Sequence, residues 1–168
     1  MLKWQNKVPI SIKPEFCIIL ALTLLILPVK WIFAWILASA FHELCHYIAL
    51  KLSCCEVLRV QINLNGAIME TDILSCTAEI LCALAGPLGG LSLLLIAKWL
   101  PRVAICGCFQ SLYNLIPIFP LDGGRAVACV LKRLFPGTQG ERIKSIWDSC
   151  ILLAFVFLTI FLIIQYQK

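Results

Sequence analysis

Long apolar segments are the feature that most restricts what this chain can fold into. Five of them occur within 168 residues, and 61% of the whole sequence is hydrophobic. A soluble domain is about half apolar, and its interior is too small to bury this much additional apolar surface. Lipid is the solvent in which such segments are stable, and about 20 helical residues cross its hydrocarbon core. The segments are residues 16–29, 31–50, 80–100, 103–121 and 149–164.

These segments predict the fold class, an all-α polytopic membrane protein that forms a single domain over residues 1–168. We expect about five transmembrane helices, because backbone groups in lipid must be hydrogen-bonded within their own segment. Pro28 and Lys30 divide the first two segments and predict a tight turn there. The expected helices cover approximately residues 14–29, 31–52, 74–100, 103–121 and 146–166.

The basic residues predict how the helices are oriented. With the N-terminus in the cytoplasm and five spans, ten of the 14 Lys and Arg residues face the cytoplasm and four face the other side. Such a cytoplasmic excess is typical of membrane proteins. We therefore expect a multi-pass protein of the cell membrane with a cytoplasmic N-terminus. The basic residues that give the net charge of +5 lie mostly at the ends of the apolar segments, where they orient the helices. We therefore expect no nucleic-acid partner.

The polar stretch between the second and third helices has the pattern of a β-hairpin. Apolar and polar residues alternate over 57–63, with the period of two that is typical of a strand. Asn65-Gly66 follows as a turn signal, and 67–70 provides a returning strand. We expect a short hairpin on the cytoplasmic face, with an irregular loop as the alternative.

The only two histidines in the sequence form a motif typical of zinc enzymes. His42 and His46 are four residues apart, so both rings lie on one face of a helix. Glu43 lies between them and completes an HExxH pattern. Two neutral imidazoles bind zinc, and the adjacent carboxylate takes a proton from water as a general base. Ionisable residues within an apolar segment are costly and usually functional, which supports this interpretation.

A catalytic zinc ion needs a third protein ligand and one open position. Asp122 is the candidate, because Pro117 and Pro120 distort the end of the fourth helix and allow a side chain to turn inward. Its expected depth, at the cytoplasmic end of its helix, matches that of His46. The alternative third ligand is Glu79, which would indicate a different kind of membrane-bound zinc protease.

Several further residues have supporting roles in this hypothesis. Asn114 lies two helical turns before Asp122 and would face the same side. It would then hydrogen-bond the developing oxyanion or the substrate backbone, or else join two helices. Gly86, Gly89 and Gly90 are expected to let helices approach each other closely.

The two main motifs resemble those of the site-2 protease family of intramembrane zinc metalloproteases. The motifs are His42-Glu43-Leu44-Cys45-His46 and the segment 114–123, which reads Asn-Leu-Ile-Pro-Ile-Phe-Pro-Leu-Asp-Gly. Within that family, they look most like the stage IV sporulation factor B-type branch. The similarity runs from about residue 12 through the fourth helix and includes Ala85-Gly86-Pro87. Cys45 departs from the pattern, because the family usually has glycine at that position.

The resemblance implies a catalytic core formed by the second, third and fourth helices. It implies one zinc ion held by His42, His46 and Asp122, with Glu43 as the general base, close to the cytoplasmic leaflet. It also implies hydrolysis of a peptide bond in or next to a transmembrane segment of a membrane-associated protein substrate. A regulatory membrane partner and, within the sporulation branch, a transcription-factor precursor as substrate are further expectations.

Two other classes of protein remain as alternatives. A non-proteolytic membrane chaperone or regulator that kept the metal fold would need zinc but not Glu43. A metal transporter would need several acids or histidines along a path across the membrane, and this chain has only the two histidines of the motif.

Overall fold

The computed structural model describes residues 10–12, 14–63, 66–71 and 75–166. Helices predominate, and three short strands form one small sheet. In chain order the elements are β1 (Ile10–Ile12), α1 (Pro14–Ile26), α2 (Val29–Leu52), β2 (Val57–Asn63), β3 (Gly66–Thr71), α3 (Cys76–Ser92), a 3-10 turn (Leu93–Ile96), α4 (Pro101–Asn114), α5 (Asp122–Leu134) and α6 (Thr138–Tyr166).

Helices α2, α3 and α4 pack against one another in pairs and form the centre of the fold. Small side chains allow this close packing: Ala34 and Ala38 of α2 lie with Val103 and Cys106 of α4 in one buried cluster. A second buried cluster joins the end of α2 to β2 and α3 through Leu50, Val57 and Cys82. The three-helix packing that the resemblance implies is therefore present.

Three helices in the described part of the chain are long and apolar enough to cross a membrane. They are α2, α3 with its 3-10 extension, and α6. Most apolar side chains of α6 from Ile146 to Ile164 are exposed, a surface suited to lipid. The fold and these helices indicate a membrane protein. Helices α1 and α4 have 13 and 14 residues, fewer than the roughly 20 of a full crossing, so five spans stay a prediction.

The sheet contains the hairpin that the sequence predicts. Strands β2 and β3 pair antiparallel with Asn63 opposite Gly66, while Asn65 of the predicted turn lies outside the described residues. Strand β1, which was not predicted from the sequence, pairs parallel with β2 along its other edge. The sheet therefore has the order β1-β2-β3.

The structure corrects the predicted fourth helix. Residues 103–121 were expected to be helical, but α4 ends at Asn114 and residues 115–121 form an irregular segment, called here the proline segment. Pro117 and Pro120 explain the difference, since neither supplies a backbone N–H and each ring clashes with the preceding turn of a helix. Asp122 therefore does not end a membrane helix but begins the next helix, α5.

Helix α5 was not predicted from the sequence, and the last helix begins earlier than predicted. Helix α5 has Asp122 in its first turn and Lys132 and Arg133 in its last, the charge order that the helix dipole favours. Helix α6 begins at Thr138 rather than near residue 146, and an ion pair between Lys144 and Asp148 supports its added turns.

Candidate metal centre

Three buried side chains from two helices meet at one point. His42 and His46 lie one turn apart on α2, and Asp122 is the first residue of α5. The Nε2 atoms of the two histidines are 3.1 Å apart. Oδ2 of Asp122 lies 3.2 Å from Nε2 of His42 and 3.1 Å from Nε2 of His46. The three residues are only 2%, 8% and 8% exposed, respectively. The fold thus brings together side chains that are 76 and 80 positions apart in the sequence.

With the carboxylate of Asp122 ionised, no placement of protons on the two rings satisfies all three contacts. If both imidazoles donate to the carboxylate of Asp122, their own contact brings two N–H groups together; if either does not donate, two lone pairs meet. His46 makes the conflict sharper, because its Nδ1 lies 2.7 Å from the carbonyl oxygen of Cys82 and donates to it. The neutral ring then presents a lone pair at Nε2, toward Asp122 and His42. A cation among the three atoms removes the conflict.

The donor set fits a zinc ion. Two imidazole nitrogens and one carboxylate oxygen are common ligands of catalytic zinc, and these three atoms lie within 4.8 Å of one another. Zinc bonds of about 2.0–2.1 Å in a tetrahedron separate ligand atoms by about 3.3 Å, close to the separations found here. The Cys82 carbonyl supplies the outer hydrogen bond that a ligating histidine normally makes.

Three glycines of α3 lie in close contact with the neighbouring helices, and one of them also borders the metal site. A Cβ on Gly86 would overlap the His46 ring and lie 2.7 Å from Nε2 of His42. A Cβ on Gly89 would overlap Cys45 of α2, and one on Gly90 would overlap Ser111 of α4. The predicted close approach of helices is therefore correct. Gly86 also leaves the space that the two imidazoles occupy, which the sequence analysis did not foresee.

The second carboxylate oxygen of Asp122 faces a cation. Nη1 of Arg125, one turn later on α5, lies 3.8 Å from Oδ1. Burial by itself would raise the pKa of Asp122, but the neighbouring imidazoles of His42 and His46 outweigh it and hold the pKa at about 2. Asp122 is thus an anion at ordinary pH, with Oδ2 directed at the histidines and Oδ1 at Arg125.

The other residues named from the sequence occupy different places. Glu43 is half-buried on α2, and its charge acts on the His46 ring. Asn114 does not share a helix with Asp122 and donates its side-chain amide to the carbonyl of Gln110. Glu79, the alternative third ligand, lies beside the Cys129 thiol at the contact between α3 and α5. The metal-binding group contains Asp122 and not Glu79.

The proline segment places Asp122 by packing on the first turn of α5. A Cβ on Gly123 would lie 2.8 Å from the carbonyl oxygen of Ile116, and one on Gly124 would overlap the backbone at Ile118. Only residues without a side chain allow the segment to fold back so closely. The sequence Asp-Gly-Gly thus indicates that another part of the backbone packs closely on the start of α5. This close packing accounts for the position of the Asp122 carboxylate better than the expected continuous helix over residues 103–121 does.

Comparison with known proteins supports the fold. No protein-family model matches the sequence, and no curated protein matches it. Among solved structures, the site-2 protease from Methanocaldococcus jannaschii is similar, with a TM-score of 0.65 and 21% sequence identity. The match covers 96% of this chain and 87% of that chain. At this identity the likeness shows the fold alone, and the chain has the fold of a site-2 protease.

Proposed function

We propose that this protein is an intramembrane zinc metalloprotease that hydrolyses a peptide bond in or next to a transmembrane segment of a membrane-associated protein. The observation that carries the proposal is the buried meeting of His42, His46 and Asp122, whose three contacts no placement of protons on the two rings satisfies while Asp122 is ionised. Glu43, adjacent to one of these donors, supplies the base that hydrolysis needs. The similarity of fold supports the proposal independently of the site.

The chain's own residues divide the chemistry among themselves. His42, His46 and Asp122 would hold one zinc ion, which supplies a Lewis acid that polarises the peptide carbonyl and makes water more acidic. Glu43 takes the proton from the attacking water and gives it to the leaving amine. Arg125 and the Cys82 carbonyl keep Asp122 and His46 in their orientations.

The hairpin offers a way to hold the substrate. A peptide bond within a helix is shielded, so the substrate segment must become extended before cleavage. One edge of β3 pairs with β2, and among the described residues no strand pairs with its other edge. An extended peptide added there would gain main-chain hydrogen bonds.

The membrane setting of the proposal rests on the sequence. The distribution of basic residues favours a multi-pass arrangement with a cytoplasmic N-terminus and the site near the cytoplasmic leaflet. The motif around Asp122 supports the sporulation-type branch of the family, in which the substrate is a transcription-factor precursor. A membrane partner that regulates access to the site is part of the same proposal.

Zinc content and cleavage, measured on the same purified protein, test the function. Wild type and Glu43→Gln are compared in lipid vesicles with a membrane-anchored peptide substrate, and Glu56→Gln serves as an exposed acidic control. We expect zinc in all three and cleavage by wild type and the control only. The loss from Glu43→Gln should be at least about 10²-fold, the usual contribution of a general base.

Other outcomes separate the alternatives. Zinc in all three proteins with equal cleavage would contradict the role of Glu43. Zinc without cleavage of any membrane substrate tested would favour a metal-binding chaperone or regulator. A transporter would require further ligand groups, and the described residues contain only the His42, His46 and Asp122 group.

A further inference from the structure

The first turns of α6 contact the proline segment through two hydrogen bonds. The backbone N–H of Phe119 donates to Oδ1 of Asp148, at 3.4 Å. The indole N–H of Trp147 donates to the carbonyl oxygen of Pro117, at 3.1 Å. Trp147 and Asp148 are adjacent residues of α6, and their side chains bind the same short stretch of backbone.

A third side chain fixes the orientation of Asp148. Nζ of Lys144 pairs with Oδ2 of Asp148, which leaves Oδ1 for the Phe119 amide. The same ammonium group lies 5.3 Å from the centre of the Phe119 ring, within the range of a cation–π contact. Lys144, Trp147 and Asp148 thus form a single group on α6, called here the α6 clamp.

The α6 clamp satisfies backbone groups that the proline segment cannot satisfy itself. Pro117 and Pro120 have no backbone N–H, while the N–H groups of Ile118 and Leu121 donate within the segment. The Phe119 N–H and the Pro117 carbonyl are the groups that α6 pairs. Losing either partner would remove one of the two hydrogen bonds that tie this stretch to α6 and so loosen it.

The proline segment connects directly to Asp122. Its other contact surface is the first turn of α5, where Gly123 and Gly124 let its backbone approach closely. The segment is therefore held between α5 and the α6 clamp. We infer that Asp148 and Trp147 are positioning residues that fix the proline segment and through it direct the carboxylate of Asp122 toward His42 and His46. This inference rests on the proposed function, since it concerns the same metal site.

Binding of Co²⁺ to the purified protein tests the inference without relying on activity. Cobalt reports both affinity and ligand geometry, through its visible absorption spectrum. The variants are Asp148→Ala, which removes the acceptor, and Asp148→Asn, which keeps an oxygen that accepts from Phe119. Ser149→Ala is the control, because the Ser149 hydroxyl donates to Ser145 within α6.

We expect Asp148→Ala to bind Co²⁺ about 10-fold more weakly, at the low end of losses from outer-shell changes, with an altered spectrum. Asp148→Asn should retain most of the affinity, and Ser149→Ala should match wild type. Hydrogen exchange over residues 115–121 should be faster in Asp148→Ala than in Asp148→Asn, Ser149→Ala or wild type. Trp147→Phe, which removes the indole N–H but keeps an aromatic ring, gives a second test if Asp148→Ala does not fold.

The outcomes distinguish this inference from the proposed function. If wild type binds no Co²⁺, the metal site itself is wrong and the inference falls with it. If wild type binds Co²⁺ and both Asp148→Ala and Trp147→Phe match its affinity and spectrum, the proposed function stands and the positioning role is overturned.

Discussion

Gly86 of α3 lies directly against the imidazole of His46, so that a Cβ at this position would occupy the space of the ring. A residue that contributes no side chain therefore decides how deeply the two histidines can enter the helix bundle. The same turn of α3 presents the Cys82 carbonyl that orients His46.

Replacing Gly86 with alanine should abolish metal binding while the protein still folds. The added methyl group would displace His46 and His42 from Asp122, and overpacking of a core typically costs about 1–3 kcal/mol. Zinc content of the purified variant is the measurement. Leu88→Ala, an exposed position on the same helix, should retain zinc and serves as the control. A zinc content in Gly86→Ala equal to that of wild type would contradict the close contact between Gly86 and the His46 ring.

Asp122→Asn should lower zinc affinity by more than ~100-fold, because losing a direct ligand costs more than losing an outer partner. The amide has the size of the carboxylate but not its charge. Competition with a chromogenic chelator measures the affinity. Glu79→Gln is the matched comparison and should bind zinc like wild type, since Glu79 lies at Cys129. The opposite result would restore Glu79 as the third ligand.

Removing the metal should lower the thermal stability of the protein. A ligand present at 100 times its Kd stabilises the folded state by about 2.7 kcal/mol, and each kcal/mol corresponds to about 2–4 °C for a chain of this size. We therefore expect a chelator to reduce the apparent Tm by about 5–10 °C. The His42→Ala variant should have this lower Tm even without chelator, and the chelator should not lower it further. If the chelator lowered the Tm of the variant as much as that of wild type, it would act somewhere other than at this site.

Gly124→Ala should disturb the metal site through the backbone. Its Cβ would overlap Ile118, so the proline segment would have to move away from α5. We expect reduced zinc content and faster hydrogen exchange over residues 115–121. Ala126→Gly is the control: it weakens α5 by up to about 1 kcal/mol through helix propensity and does not press on the segment. Equal zinc content in both variants would show that the close packing at Gly124 is dispensable.

Much of the candidate site follows from spacing in the sequence. The four-residue interval between His42 and His46 fixes one face of a helix, and the structure places both rings there. Asp122 was chosen as the third donor because two prolines precede it, and the structure brings its carboxylate to the histidines. The alternation over residues 57–63 likewise predicted β2. In each case the pattern follows directly from backbone geometry: the spacing of residues on a helix face, the alternation of side chains along a strand, or the interruption of a helix by proline.

Other parts could not be derived from the sequence. The apolar pattern continues through residue 121, so hydrophobicity gives no sign that α4 ends at Asn114. The role of Cys82 depends on its backbone oxygen, which every residue has. Gly86 was assigned to helix packing in general, because only the three-dimensional arrangement shows that its neighbours are imidazoles. β1 has three residues, too few for a strand pattern to be recognised.

The separation of the site between α2 and α5 has a consequence for how the protein is made. His42, His46 and Glu43 enter the membrane with α2, while Asp122 is synthesised 76 residues after His46. During translation, the growing chain carries the proposed base and two of the proposed metal ligands before the third ligand has been synthesised. If the protein is the proposed protease, it therefore cannot hydrolyse any neighbouring protein before Asp122 has been synthesised and α5 has folded against α2 and α3.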